Sequence, residues 1–228
     1  STSWPRPDDA FEARLHAAVD SAFDDEAVAG ALAEIVGRVR GPGWSNALTA
    51  KLVQLTSPGV PDLYQGSELW ETSLTDPDNR RPVDFAAARR ALAAVDARGA
   101  GDARGAVGAR GAGSLPPIDE TGHAKLFVVS RALRLRRDRP DLFTRYAPLD
   151  AVGDRADHLI AFDRGGAITL GTRLPVGLEA GGGWADTEVL LPGRPFVDVI
   201  TGLAVEGGRV RVGDVLDRYP VALLAVVP

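Results

Sequence analysis

The sequence lacks cysteine and methionine altogether and has only three histidines in 228 residues. Without cysteine, the chain cannot form a disulfide, a thiolate metal site or a cysteine nucleophile. His16, His123 and His158 are too isolated to have metal-ligand spacing, so we expect no metal and no cofactor. No apolar run approaches the roughly 20 residues that cross a bilayer, and no signal peptide is recognisable. We therefore expect a cytoplasmic protein without a membrane partner.

The charge balance excludes another class of partner. The chain carries 26 basic and 31 acidic residues, for a net charge of -5, and the two signs are interspersed. Because a nucleic-acid-binding surface is usually basic, we expect no nucleic-acid partner. The missing methionine also means that the sequence contains no initiator. Together with a start that leads directly into a helix, this indicates a fragment of a longer chain.

Apolar periodicity predicts mainly helices in the first 140 residues. In the first of them Phe11, Leu15, Val19 and Phe23 recur every fourth position, which makes the helix amphipathic. Gly41 and Pro42 should separate the second helix from the third. The predicted helices cover residues 8–23, 26–40, about 45–57, 85–95 and 120–138. Residues 60–64 resemble a short buried strand, although Pro61 weakens that prediction.

The later part of the sequence differs in composition and in the spacing of its apolar residues. Residues 96–114 are almost entirely Gly, Ala, Arg and Asp, which predicts a mobile surface loop. From about residue 145, short apolar runs alternate with Gly and Pro, as in a small antiparallel β-sandwich. Residues 159–162 and 167–170 flank Arg164-Gly165-Gly166 and predict a hairpin. Further strands are predicted at 187–191, 195–200, 203–206, 209–212 and 221–227.

Two adjacent segments carry a specific family resemblance. They are LTSPGVPDLYQGSELW at 55–70 and SLTDPDNRRPVDF at 73–85. The first resembles the eighth barrel strand throughout the α-amylase superfamily of glycoside hydrolases. The second narrows the resemblance to the maltooligosyl trehalose synthases. Shorter pieces agree in order, namely Thr2-Ser3-Trp4, LRLRR at 133–137, WADT at 184–187 and Thr201-Gly202.

The resemblance implies an α/β plus all-β fold. Residues 1–143 would be the C-terminal part of a (β/α)8 barrel, with its last strand and flanking helices, and 144–228 a C-terminal β-sandwich domain. It implies an isomerase, an intramolecular glucosyl transferase that converts the reducing-end α-1,4 linkage of a maltooligosaccharide into an α,α-1,1 trehalose linkage. The partners would be that substrate and the upstream catalytic part of the same protein.

Retaining glucosyl transfer needs a carboxylate nucleophile and a carboxylic acid on opposite sides of the bond. In the family these groups follow the fourth, fifth and seventh strands, which would lie upstream of Ser1. We therefore assign no catalytic residue, and expect this chain alone to be inactive. It can supply the loop after the eighth strand, at the face where such barrels build their active sites. The candidate substrate-binding residues are Tyr64, Gln65, Glu68, Trp70, Asp76, Asp78, Asn79, Arg80 and Arg81.

Other interpretations of these residues stay open. Asp76 and Asp78 could instead brace the loop by pairing with Arg80 and Arg81, and Glu68 would more readily support the site than react. The parent could be another hydrolase of the same superfamily. The chain could also be a non-catalytic support or a glucan-binding module. Such a module needs an exposed aromatic platform, and Phe162, Trp184, Phe196 and Tyr219 mostly occupy positions expected to be buried.

Overall fold

The computed structural model describes residues 2–100 and 115–227. The chain divides into two compact units, Ser1–Gly43 and Trp44–Pro228. Most of the predicted mobile loop, residues 101–114, lies outside the described residues. The remainder of that prediction is wrong, because residues 96–100 continue a helix. Arginine and alanine favour helix, which explains why the helix extends into this low-complexity stretch.

The first unit is helical and exposes its apolar side chains. Helix α1 spans Asp9–Asp24, and Asp8 caps it by accepting a 3.0 Å hydrogen bond from the backbone N–H of Phe11. The predicted amphipathic helix is confirmed, and no described residue buries its apolar face. No residue of α1 is buried, and Phe23 is 82% exposed. Periodicity therefore predicted the helix correctly, but it does not show whether the apolar face is buried.

Helix α2 runs without interruption through the predicted break. It spans Glu26–Thr56 and contains Pro42 within it, so the prediction of two helices separated at Gly41-Pro42 is wrong. Proline removes one backbone hydrogen bond and disfavours a helix interior. The later turns have strong tertiary support, because Leu48, Leu52 and Leu55 are at most 1% exposed. Packing of that end outweighs the local preference for a break.

Two further helices belong to the second unit. Helix α3 spans Phe85–Ala100 and begins where Asp84 accepts a 2.8 Å hydrogen bond from the N–H of Ala87. Helix α4 spans His123–Asp138. Arg134 joins the two helices by a forked pair to Asp96, with N–O distances of 2.5 and 2.8 Å. Both helices confirm the sequence prediction, although α3 is longer than expected.

No strand forms at residues 60–64, so that prediction is wrong for the described chain. A strand exists only when a neighbour completes its hydrogen-bond ladder. Neither sheet of the described residues includes this segment, and Pro61 has no N–H to donate. Gln54 instead binds the segment by donating a 2.7 Å hydrogen bond to the carbonyl of Asp62.

Residues 147–226 form two antiparallel sheets. The larger has the order β1-β3-β4-β9-β6-β7, and the smaller has the order β2-β5-β8. All predicted strands of this region are found, and two short helices were missed, α5 at Pro175–Ala180 and α6 at Val212–Val215. The strands are β1 Ala147–Pro148, β2 Ala151–Val152, β3 Leu159–Asp163, β4 Ala167–Thr172, β5 Glu188–Leu191, β6 Phe196–Asp198, β7 Ala204–Val205, β8 Gly208–Arg211 and β9 Val221–Val226.

The hairpin of β3 and β4 has the predicted position, with Phe162 opposite Thr169. The carboxylate of Asp163 sets its turn, because it accepts 2.8 Å hydrogen bonds from the N–H groups of both Gly165 and Gly166. These glycines have φ of 109° and 134°, a region that L side chains rarely adopt. Arg164-Gly165-Gly166 was therefore a reliable hairpin signal.

The second unit contains two buried apolar clusters. One combines the end of α2 and α4 with β9, including Leu52, Val128 and Leu223. The other contains side chains from both sheets, including Leu170 and Val189. The end of α2 also makes polar contacts with the larger sheet. Thr49 donates a 2.9 Å hydrogen bond to the carbonyl of Thr172 within this buried contact.

Candidate functional site

All nine candidate substrate-binding residues lie in one segment between α2 and α3, residues 64–85, which we call the site loop. Two arginines, one on α4 and one in the β3–β4 turn, bind the end of α2 from which the chain enters this loop. Arg136 donates to the carbonyls of Leu55 at 3.0 Å and Ser57 at 3.3 Å, and also to that of Gly59. Basic side chains can satisfy the last carbonyls of a helix in this way. The direction in which the chain leaves α2 is therefore well determined.

Arg164, in the turn of the β3–β4 hairpin, supports the same helix end. It is only 5% exposed, and its guanidinium donates to the carbonyls of Thr56, Arg145 and Phe143. Burial is the main cause that lowers the pKa of Arg164, and Arg136 nearby lowers it further. Three carbonyl acceptors solvate this charge in place of water. The β region thus takes part in placing the approach to the site loop.

Trp70 fixes the middle of the site loop to the helices. Its indole N–H donates a 2.6 Å hydrogen bond to the carbonyl of Asp119, and its ring stacks on Trp44 with the centroids 5.9 Å apart. Gly122 comes so close that a Cβ atom there would lie 2.9 Å from the backbone nitrogen of Trp70. One face and the N–H of the indole are thus engaged within the protein, which favours packing over sugar stacking.

The acidic and basic candidates form two ion pairs within the loop. Asp76 and Arg80 form a forked pair with both N–O distances at 3.1 Å, and Asp78 pairs with Arg81. Asp78 also accepts a 2.8 Å hydrogen bond from the N–H of Leu74. That hydrogen bond is the main cause that lowers the pKa of Asp78, and Arg81 adds to it. The expected bracing contacts are therefore present within the loop.

The other candidates differ in exposure. Tyr64 and Gln65 are exposed, whereas Glu68 and Asn79 are half-buried. The Asn79 side-chain oxygen is buried and accepts no hydrogen bond from the described residues. A buried acceptor without a donor is unfavourable, and the hydroxyls of Ser67 and Ser73 in the same loop are also buried without a partner among the described residues. Of these four candidate residues, Tyr64 and Gln65 are the more accessible to a ligand.

Sequence reasoning missed the residues that hold the loop. Trp44, Asp119, Gly122 and Lys125 all contact Trp70 or its neighbour Leu69. Lys125 gave a usable signal, because it is a charged residue inside an apolar stretch, between Ala124 and Leu126. The others gave none, since only the folded chain brings them beside residue 70.

The β region lacks an aromatic platform among the four residues considered. Phe162, Phe196 and Tyr219 are at most 4% exposed, and Trp184 packs against the second apolar cluster. The hydroxyl of Tyr219 donates to the carbonyl of Pro116, and burial raises the pKa of Tyr219. Their positions agree with the expectation that most of them are buried, and they do not favour a glucan-binding module.

Two further searches of residues 2–100 and 115–227 gave negative results. No group of three or more His, Asp or Glu side chains there could hold a metal ion. No helix within those ranges is both long and apolar enough to cross a membrane.

Comparison with known proteins gave a consistent family. No family model matches the chain. Two curated proteins from strains of Mycobacterium tuberculosis, both assigned to the maltooligosyl trehalose synthases, are 39% identical over 226 residues, which are 98% of this chain and 26% of theirs. The solved maltooligosyltrehalose synthase of Arthrobacter ramosus is 51% identical, with a TM-score of 0.88 over 100% of this chain. The sequence resemblance to the maltooligosyl trehalose synthases is thereby confirmed.

The extent of the match is as informative as its identity. This chain spans only 28% of the Arthrobacter synthase. It therefore matches only a portion of that synthase. A solved glycosyltrehalose synthase with 22% identity and a TM-score of 0.75 shares the fold over 99% of this chain.

Proposed function

We propose that this chain is the C-terminal part of an intramolecular glucosyl transferase that forms a trehalose unit at the reducing end of maltooligosaccharides. The 51% identity and TM-score of 0.88 to a maltooligosyltrehalose synthase carry the proposal. The segments that suggested the family, 55–70 and 73–85, form the end of α2 and the site loop. As the resemblance implies, the parent would be a cytoplasmic enzyme without a cofactor.

The proposed architecture is the end of a (β/α)8 barrel in residues 1–143 and a β-sandwich in residues 144–228. The cluster shared by the two sheets supports the sandwich. Residues 60–64 would be the eighth barrel strand, with its ladder completed by strands elsewhere in the enzyme. The site loop would then lie at the end of the barrel where such enzymes place their active sites.

The upstream catalytic part of the enzyme is the proposed partner of the first unit. Helices α1 and α2 expose apolar residues such as Leu32 and Ile35, which are 57% and 55% exposed. Large exposed apolar faces usually mark contact surfaces. The catalytic carboxylates would come from that upstream part, so the proposed role of this chain is to bind and enclose substrate. A closed site favours transfer to the released glucose over transfer to water.

The proposal is tested by incubating the complete protein that contains this chain with maltopentaose. We expect reducing ends to disappear without a matching release of glucose, because the α,α-1,1 product is non-reducing. The 228-residue chain alone is the matched control and should leave the substrate unchanged. A gain of reducing ends would indicate a hydrolase and contradict the proposal, as would complete inactivity of the full protein.

A further inference from the structure

Lys125 is a buried lysine whose side chain ends against the site loop. It is 8% exposed, and its ammonium donates a 2.8 Å hydrogen bond to the carbonyl of Leu69. The same nitrogen lies 5.7 Å from the ring centroid of Trp70, within the range of a cation–π contact. No carboxylate of the described residues lies within 4 Å of it to form an ion pair. Its direct polar contact is therefore with the loop backbone.

The position of Lys125 within α4 does not explain a lysine. It is the third residue of the helix, where the helix dipole disfavours a positive charge. Burial is the main cause that lowers its pKa, Lys51 lowers it further, and Glu71 and Glu68 act in the opposite direction. Those two glutamates flank residues 69 and 70 of the site loop. The two glutamates of the loop thus favour the positive charge of Lys125. Its burial and its place near the N-terminus of α4 disfavour that charge.

Residues 69 and 70 are where the loop is attached to the helices. Trp70 is held from Trp44 on α2 and from Asp119 and Gly122 before α4, while Lys125 holds the preceding carbonyl. By contrast, the Asp76–Arg80 and Asp78–Arg81 pairs join residues of the loop to each other. They shape the loop without fixing its place.

We propose that Lys125 is a positioning residue for glucosyl transfer, which fixes Leu69 and Trp70 and through them the sugar-facing side chains of the site loop. The inference rests on the proposed function. It assigns to α4 a role in holding substrate-binding residues, although no side chain of α4 is itself a candidate for sugar contact.

The test uses the complete enzyme with two substitutions at this position. Lys125→Met keeps an apolar stem against Trp70 but removes the charge and the donor, and Lys125→Arg keeps both. Arg137→Met is the control, because Arg137 is 71% exposed on the same helix and, within the described residues, pairs only with its neighbour Asp138. Three quantities are measured: hydrogen exchange in peptides covering 64–85, KM and kcat for maltopentaose, and glucose released per reducing end lost.

For Lys125→Met we expect exchange in 64–85 to be about tenfold faster, since a hydrogen bond from a charged group is lost. We also expect a KM several-fold higher and a larger share of glucose release, because a displaced loop admits water. Lys125→Arg should recover most of both changes, and the control should match the wild type. If Lys125→Met does not fold, Lys125→Gln, which keeps a shorter neutral donor, is judged by the same criteria.

Two results would overturn the inference. Unchanged exchange in 64–85 would show that Lys125 does not hold the loop. Faster exchange with unchanged KM, kcat and product ratio would show a purely structural contact. If the wild-type enzyme does not convert maltopentaose, the proposed function fails instead, and hydrogen exchange alone decides whether Lys125 fixes the loop.

Discussion

The two units contain helices of similar periodicity with opposite burial. In α1 no residue is buried, and Leu32 of α2 is 57% exposed. In the second unit, Leu48 of the same helix is fully buried, and eight residues of α4 are buried. Regular spacing of apolar residues thus specifies a helix and its apolar face. Whether that face is covered depends on which other elements are present.

The largest expected effect tests this contrast directly, with the same substitution in both units. Leu48→Ala should destabilise the 228-residue chain by about 2–5 kcal/mol, because it leaves a cavity in a packed core. Leu32→Ala should change stability by no more than about 0.5 kcal/mol, because its side chain is exposed. Urea unfolding of both variants measures the difference.

The same pair also tests the proposed partner of the first unit. In the complete enzyme, Leu32→Ala should become clearly destabilising if the upstream part covers that face. If Leu32→Ala destabilises the 228-residue chain as much as Leu48→Ala does, the two units do not differ in burial as described. A negligible cost in the complete enzyme would contradict the proposed cover.

A smaller effect compares one aspartate in each unit. Arg145 and the N–H groups of Gly165 and Gly166 outweigh burial and hold the pKa of Asp163 below its ordinary value of 3.8. The folded state therefore binds fewer protons there than the unfolded state. The stabilisation is present above pH 3.8 and is lost as pH falls through the folded pKa. Asp163→Asn should cost about 1–3 kcal/mol at neutral pH and progressively less under acid conditions.

Asp25→Asn is the matched control for this measurement. Asp25 is exposed and accepts hydrogen bonds from the N–H groups of Ala27 and Val28, where asparagine caps a helix about as well as aspartate. Its effect should be small at every pH. Urea titrations between pH 3 and 7 compare the two, and a pH-independent cost for Asp163→Asn would refute the charge argument.

The smallest expected effect on stability is in the exposed site loop. Asp76 and Arg80 are both 63% exposed, so Asp76→Asn should change stability by about 0–1 kcal/mol. If the pair braces the loop, Asp76→Asn and Arg80→Gln should lower kcat/KM of the complete enzyme similarly, and the double variant no further. A much larger loss for Asp76→Asn alone would instead indicate direct sugar contact.

The outcome of each sequence prediction has a physical cause. The Arg164-Gly165-Gly166 hairpin and the start of the helix at residue 85 were predictable, because local geometry and short-range hydrogen bonds determine them. The predicted helix break at Pro42 was wrong, because packing of the buried helical turns beyond it outweighs the loss of one backbone hydrogen bond. The predicted strand at 60–64 was wrong for the described chain, because no described segment pairs with it. The nine candidate residues stay predictions of sugar contact, although their ion pairs now have a defined geometry.

By itself, the sequence determined helices α1, α3 and α4, the predicted strands between residues 159 and 227 and the family resemblance. These depend on residue type, periodicity and an unusual loop motif. Only the tertiary structure decided that Lys125, Asp119 and Trp44 meet at Leu69 and Trp70, since residues far apart in the chain share that contact. It also decided which apolar faces are buried. Burial depends on the partners that the folded chain provides, and a periodic pattern does not name them.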